Sequence, residues 1–308
     1  MIREEVLRHG PVGGPMGILT LPPAGGTAHP TVLLINAGLI HHVGPARLHV
    51  LAARELARLG IASLRLDLSG LGDSPAREDH LPIFELVRQE PAQAMDALTA
   101  RGLGPFVLAG VCSGAYSAFH VACDDPRVVA AAIINPEDLA LGTARPETAT
   151  DEARAWARRY WTRSVFRPAA WMNLLRGRVD YRRLVSTLLL QAQGRTNAND
   201  PSPQGQGLRQ RMRDAVAARP LQLWFISSGT DVSRDALALL LDQDTLASAP
   251  PGRLLHTVLE DCDHLFQRAA DQRRLIALLT RLVLATGACA SALLEDDVVE
   301  VRHAPLQR

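Results

Sequence analysis

The sequence contains no lysine: all 33 of its basic residues are arginine. That excludes a Schiff-base amine, a Ser-Lys nucleophile pair and a phosphate-loop lysine. Cysteine is scarce. The four present, Cys112, Cys123, Cys262 and Cys289, show no paired spacing for zinc or for a disulfide framework, so neither a metal nor a cofactor is expected. A reduced, cytoplasmic setting is the default for such a chain. No N-terminal segment combines a basic start, an apolar middle and a small-residue cleavage site. Long hydrophobic runs are missing too. The most membrane-like stretch, Leu275–Leu294, carries Thr280, Arg281 and Gly287, and reads as a buried amphipathic helix rather than a span. The net charge is only +1, and neither a helix-turn-helix signal nor an aromatic stacking pattern is present. Nucleic acid and membrane are therefore not expected partners.

What is present is enough apolar residue, 47% of 308, for one large domain or for a core domain carrying an insertion. Strand and helix signals alternate. Strands are predicted at Thr31–Asn36, Ala62–Leu68, Phe106–Ala109, Val128–Ile134, Leu221–Ser227 and Leu254–Leu259. Helical spacing covers Ala46–Leu59, Leu81–Leu103 (with Pro91 near a kink or break) and the residues from Ser113 onward. The first 30 residues suggest an added hairpin. Such alternation implies an α/β fold, a parallel sheet covered by helices on both faces.

The series is interrupted between 136 and 220. That interval reads as helices rich in arginine and tryptophan (Trp156, Trp161, Trp171), then a polar loop at Gln191–Gly207. Over Glu137–Arg219 fifteen arginines face eight acidic residues, a net charge of +7. The charge is therefore segregated onto the insertion, either as a solvated face or as a surface for an anionic partner. The division is a core at 1–135, a helical cap at 136–220, a second core part at 221–295 and a tail at 296–308.

Within the core, Gly110-Val111-Cys112-Ser113-Gly114 joins a strand to a helix. A nucleophile held on such a tight turn needs small residues two before and two after it, because larger ones collide with neighbouring backbone. The following helix N-terminus then favours a thiolate. Ser113 is the competing nucleophile, but its equivalent flanks are Val111 and Ala115. A thiol nucleophile also needs a base and a group that orients the base. His264, in Asp261–Phe266 after the last strand, can reach back over the sheet's carboxyl edge, and Asp231 follows a glycine turn on that same edge.

Nucleophile, acid and histidine in that order, each after its own strand, resemble the arrangement in α/β-hydrolases. Asp67-Leu68-Ser69-Gly70-Leu71-Gly72-Asp73-Ser74 is similar to the family's D-x-R-G-x-G-x-S turn. Over roughly residues 15–290 the chain resembles the lysophospholipase/aminopeptidase-like members with a helical cap. The resemblance implies an α/β-hydrolase fold with a mostly parallel central sheet and a cap insertion. It implies Cys112, Asp231 and His264 as catalytic residues, with Glu137 or Asp138 as the acid in members that place it before the cap. It also implies an oxyanion hole from the backbone N–H of Ser113 and that of Leu39 or Gly38. His41, His42, Trp161 and Trp171 are candidates to contact substrate.

Most members carry serine at the elbow; cysteine there is similar to dienelactone hydrolases and polyhydroxyalkanoate synthases. A thioester acyl-enzyme reacts readily with amines, thiols and placed hydroxyls. The expected activity is therefore hydrolysis or transfer of acyl groups from thioesters or esters, with carboxylesterase or lactone hydrolase as the alternative. A catalytically retired binding protein is the non-enzyme alternative. A basic cap suits coenzyme A or an acidic acyl carrier protein as donor, and a homodimer remains open.

Overall fold

The computed structural model describes residues 1–10, 14–23, 29–79, 81–136, 203–229, 231, 237 and 240–287. The chain divides into two compact units, Met1–Ala140 with Gly207–Arg308, and Leu141–Gln206. The cap tryptophans and the alternative acids Glu137 and Asp138 lie outside the described residues.

Among the described residues eight strands form one sheet in the order β1-β2-β4-β3-β5-β6-β7-β8. The strands are β1 (Arg3–Arg8), β2 (Met16–Leu21), β3 (Thr31–Ile35), β4 (Ser63–Asp67), β5 (Phe106–Val111), β6 (Val128–Ile134), β7 (Gln222–Ser228) and β8 (Leu254–Leu259). β1 and β2 form the expected antiparallel hairpin, and β2 also runs antiparallel to β4. Every other pairing is parallel.

The central strands are nearly continuous apolar runs because both of their faces are covered. Alternate residues sort to opposite sides. Leu33, Ile35, Leu108, Ile133 and Phe225 pack toward α2 (Ile83–Thr99), α3 (Ser113–Asp124) and α4 (Pro203–Ala218). Val32, Leu34, Val107, Ala109, Ala132 and Trp224 pack toward α1 (Leu48–Arg58) and the helix Ala269–Gly287. That last helix, α6 (a short α5, Gln243–Ser248, precedes β8), buries Leu275, Leu279, Leu282 and Val283 on one stripe. No helix among the described residues is long and apolar enough to cross a membrane.

Two expectations change. α2 runs through Pro91 without ending there, and the ring is buried within the helix. Residues from Pro203 are helical rather than loop, and Leu208, Met212 and Val216 on one face of α4 join the core cluster. The unit that carries the sheet includes Gly207–Arg308.

The strand order places a switch point at the centre. After β3 the chain adds β4 on one side, then crosses to add β5 on the other. The loops leaving β3 and β5 therefore diverge at their carboxyl ends and open a crevice, the usual place for reacting groups in such sheets.

Candidate active site

Cys112 stands alone between β5 and α3 with φ 58° and ψ −119°. A positive φ in a non-glycine residue costs on the order of 1–3 kcal/mol and persists only where its surroundings enforce it. Here they do. The Cys112 N–H donates to the Ile134 carbonyl at 2.9 Å, and the Cys112 carbonyl accepts from Ala115 N–H at 3.1 Å. A Cβ at Gly110 would collide with the Gly114 carbonyl group. One at Gly114 would meet the carbonyl of Asn36 and lie 2.9 Å from that of Ile35. Both glycines are thus required for space rather than for their own φ. The side chain of Cys112 is partly exposed. Burial pushes the thiols of the other two described cysteines up, Cys123 to about 12 and Cys262 to about 11.

Asp231 and His264 come together on the same edge. His264 Nδ1 is hydrogen-bonded to Asp231 Oδ2, and the Asp231 side chain is almost fully buried. Burial opposes a charged imidazole. Hydrogen bonds and charge at Asp231 and Cys112 outweigh it and raise the His264 pKa to about 10. With Nδ1 hydrogen-bonded to Asp231, Nε2 is the ring nitrogen on the opposite side, and the charged ring is favoured by both Asp231 and Cys112.

Asn135 holds the two loops that bring these residues together. It is fully buried at the end of β6 with φ 45°. Its Nδ2 donates to the His264 carbonyl and its Oδ1 accepts from Ser228 N–H, both at 2.7 Å. One amide therefore fastens the turn before Asp231 to the loop of His264.

On the other flank, the loop after β3 forms a turn in which Ile40 N–H donates to the Ala37 carbonyl at 3.0 Å, with Gly38 at φ 58°. Gly38 N–H donates to Ser113 Oγ at 2.7 Å, so this amide is committed to tying the loop to α3. Leu39 is highly exposed beside it. His41 is exposed, and its ring lies 5.2 Å from that of His42. His42 turns inward to Asp67, with Nδ1 2.7 Å from Oδ2.

His42, Asp67 and Asp73 present ligand atoms within 4.8 Å of one another. Both Asp67 oxygens, however, already accept N–H donors. Donor hydrogens converging on a carboxylate make it a hydrogen-bond hub rather than a cation ligand.

Asn36, Asn135 and the hub at Asp67 escape a reading of motifs alone. The signal was nevertheless present: an asparagine ends each of two apolar strand runs, Thr31–Asn36 and Val128–Asn135.

The alpha/beta hydrolase family matches residues 25–277, and the chain belongs to it. Solved structures agree on the fold. A proline iminopeptidase from Mycobacterium smegmatis is 16% identical with a TM-score of 0.55, over 92% of this chain and 99% of that one. A dienelactone hydrolase from Anabaena variabilis is also 16% identical, with a TM-score of 0.52 over 91% and 95% of the two chains. TT1662 from Thermus thermophilus is 15% identical, with a TM-score of 0.54 over 92% and 98%. No curated protein is similar to the chain in sequence.

Proposed function

We propose that the protein is a cysteine-dependent acyl hydrolase or acyltransferase that acts on thioesters or esters through an acyl-cysteine intermediate. The observation that carries this reading is the turn at Cys112. Its positive φ is enforced between two glycines that tolerate no Cβ, and His264 and Asp231 are linked to it.

In the first half-reaction, the proton shared by Cys112 and His264 rests on His264 Nε2 as the Cys112 sulfur attacks the substrate carbonyl carbon. Negative charge collects on the former carbonyl oxygen, where the backbone N–H groups of Ser113 and Leu39 are the proposed donors. Collapse breaks the bond to the leaving group, which takes the proton from His264. In the second half, water or an acceptor O–H, N–H or S–H gives its proton to His264 and attacks the thioester. The C–S bond breaks and the proton returns to Cys112. Asp231 holds the ring and stabilises its charged form throughout.

A thioester donor exchanges onto a thiol with little change in bond energy, which favours coenzyme A or an acidic carrier as the source of the acyl group. The net charge of +6 over residues 141–206, eleven arginines against five acidic residues, supports an anionic donor. The test is turnover of a panel of acyl-CoA, acyl-carrier and simple ester substrates by wild type and Cys112→Ala. The expected result is thioester turnover in the wild type that vanishes in the folded variant. Turnover of esters alone would favour carboxylesterase or lactone chemistry, and undiminished turnover in Cys112→Ala would overturn the mechanism.

A further inference from the structure

The loop that carries Leu39 is built around a buried charge. Asp67 closes β4, and its side chain has no solvent exposure. Its Oδ1 accepts from His42 N–H at 2.5 Å and from Asn36 Nδ2 at 3.0 Å. Its Oδ2 accepts from Asp73 N–H at 3.1 Å and lies 2.7 Å from His42 Nδ1. Asn36 extends the web: the same Nδ2 donates to the Ile40 carbonyl, and Oδ1 accepts from Leu68 N–H, both at 2.9 Å. Gly72 packs so closely that a Cβ there would collide with the Asp67 carboxylate and lie 2.7 Å from His41 Cβ.

The segment 37–42 is thus fixed at four points. Gly38 is tied to Ser113, Ile40 to Asn36, and His42 is tied twice to Asp67. Leu39 lies between the first two. A carboxylate taken out of water is costly unless donors surround it. Four donors around one fully buried carboxylate allow little freedom in where the loop can lie.

We propose that Asp67 and His42 are a positioning pair that sets the Leu39 backbone N–H where the oxyanion forms. Neither residue touches the reacting atoms; both act through the loop. The claim rests on the acyl-transfer reading, and its experiment separates the two. Oxyanion stabilisation depends on placement, and displacing a donor costs roughly 10- to 100-fold in rate. Alkylation of Cys112 by iodoacetamide is a displacement at an sp³ carbon and forms no oxyanion. Loss of the positioning pair should therefore lower kcat for an acyl thioester roughly 10- to 100-fold with KM nearly constant, while the alkylation rate stays within about twofold.

Because Asp67→Asn alters a buried site, His42→Ala provides a second variant. His42→Asn places an amide nitrogen near the position of Nδ1 and should restore most of the loss. Amide hydrogen exchange over residues 37–43 needs no substrate and should accelerate in His42→Ala and recover in His42→Asn. Unchanged exchange in the folded variants, or a kcat that does not fall, overturns the proposal. So does a parallel fall in alkylation, because the elbow itself would then have moved. A wild type that turns over no thioester or ester refutes the proposed reaction instead, and hydrogen exchange still decides whether the pair orders the loop.

Discussion

Replacing Asp231 with asparagine keeps the shape of the side chain and removes its charge. The native carboxylate is nearly inaccessible to solvent, and its hydrogen bond and charge, together with those of Cys112, raise the His264 pKa from the ordinary 6.5 to about 10 against the effect of burial. That difference corresponds to about 5 kcal/mol of preference for the charged ring. Without the carboxylate, burial acts against the remaining contact with Cys112, so the ring should titrate several units lower. The consequence for stability has a definite sign. A group whose folded pKa lies above its unfolded value contributes fully below about pH 6.5, and its contribution is lost as pH rises through about 10. The stability gap between wild type and Asp231→Asn should therefore be largest near pH 6 and shrink toward pH 10. Turnover should fall by roughly 10²- to 10⁴-fold, the usual contribution of a placed acid–base group. Nuclear magnetic resonance titration of the His264 ring, assigned by its loss in His264→Gln, reads the pKa directly. A wild-type ring titrating near 6.5, or one that does not respond to Asp231→Asn, refutes the pairing.

Gly114→Ala should destabilise the fold by about 2–3 kcal/mol, because the new methyl meets the β3 backbone rather than a side chain that can move; an unchanged urea midpoint contradicts the packing. His9, His49 and His120 are buried with pKa values lowered to about 4, chiefly by burial. Their folded values lie below 6.5, so stability held above that pH is lost as pH falls toward 4, and urea midpoints should drop by pH 5. Equal midpoints at pH 7 and pH 5 would count against buried neutral rings. Asn135→Ala leaves Ser228 N–H and the His264 carbonyl without their partner and should cost about 2–3 kcal/mol; calorimetry checks it. If the arginines of residues 141–206 steer an anionic carrier, apparent affinity for a carrier-bound donor should fall steeply with salt while a small neutral thioester changes little. Equal salt dependence for both would make that charge a solvated face.

The strands were legible because buried parallel strands leave apolar runs bounded by turns. Val128–Ile134 and Leu254–Leu259 match the structure residue for residue. The elbow was legible because glycine flanks are a steric necessity. α4 was missed because its first turn, from Pro203, is polar and glycine-bearing, and its buried stripe of Leu208, Met212 and Val216 starts later. Pro91 reads in the sequence as a kink or break, and α2 continues through it unbroken. The hub at Asp67 was invisible as geometry. It joins residues from the loops after β3 and β4, and only the fold brings Asn36, His42 and Asp73 to one carboxylate.

The central claim is that the elbow sulfur itself carries the acyl group. Intact-mass spectrometry after mixing with an acyl-CoA, followed by peptide mapping, tests it most directly. The expected result is one acyl increment, mapped to Cys112, released by hydroxylamine at neutral pH as a thioester is, and absent from Cys112→Ala. An increment mapped to Ser113, or continued turnover in Cys112→Ala, would contradict the account.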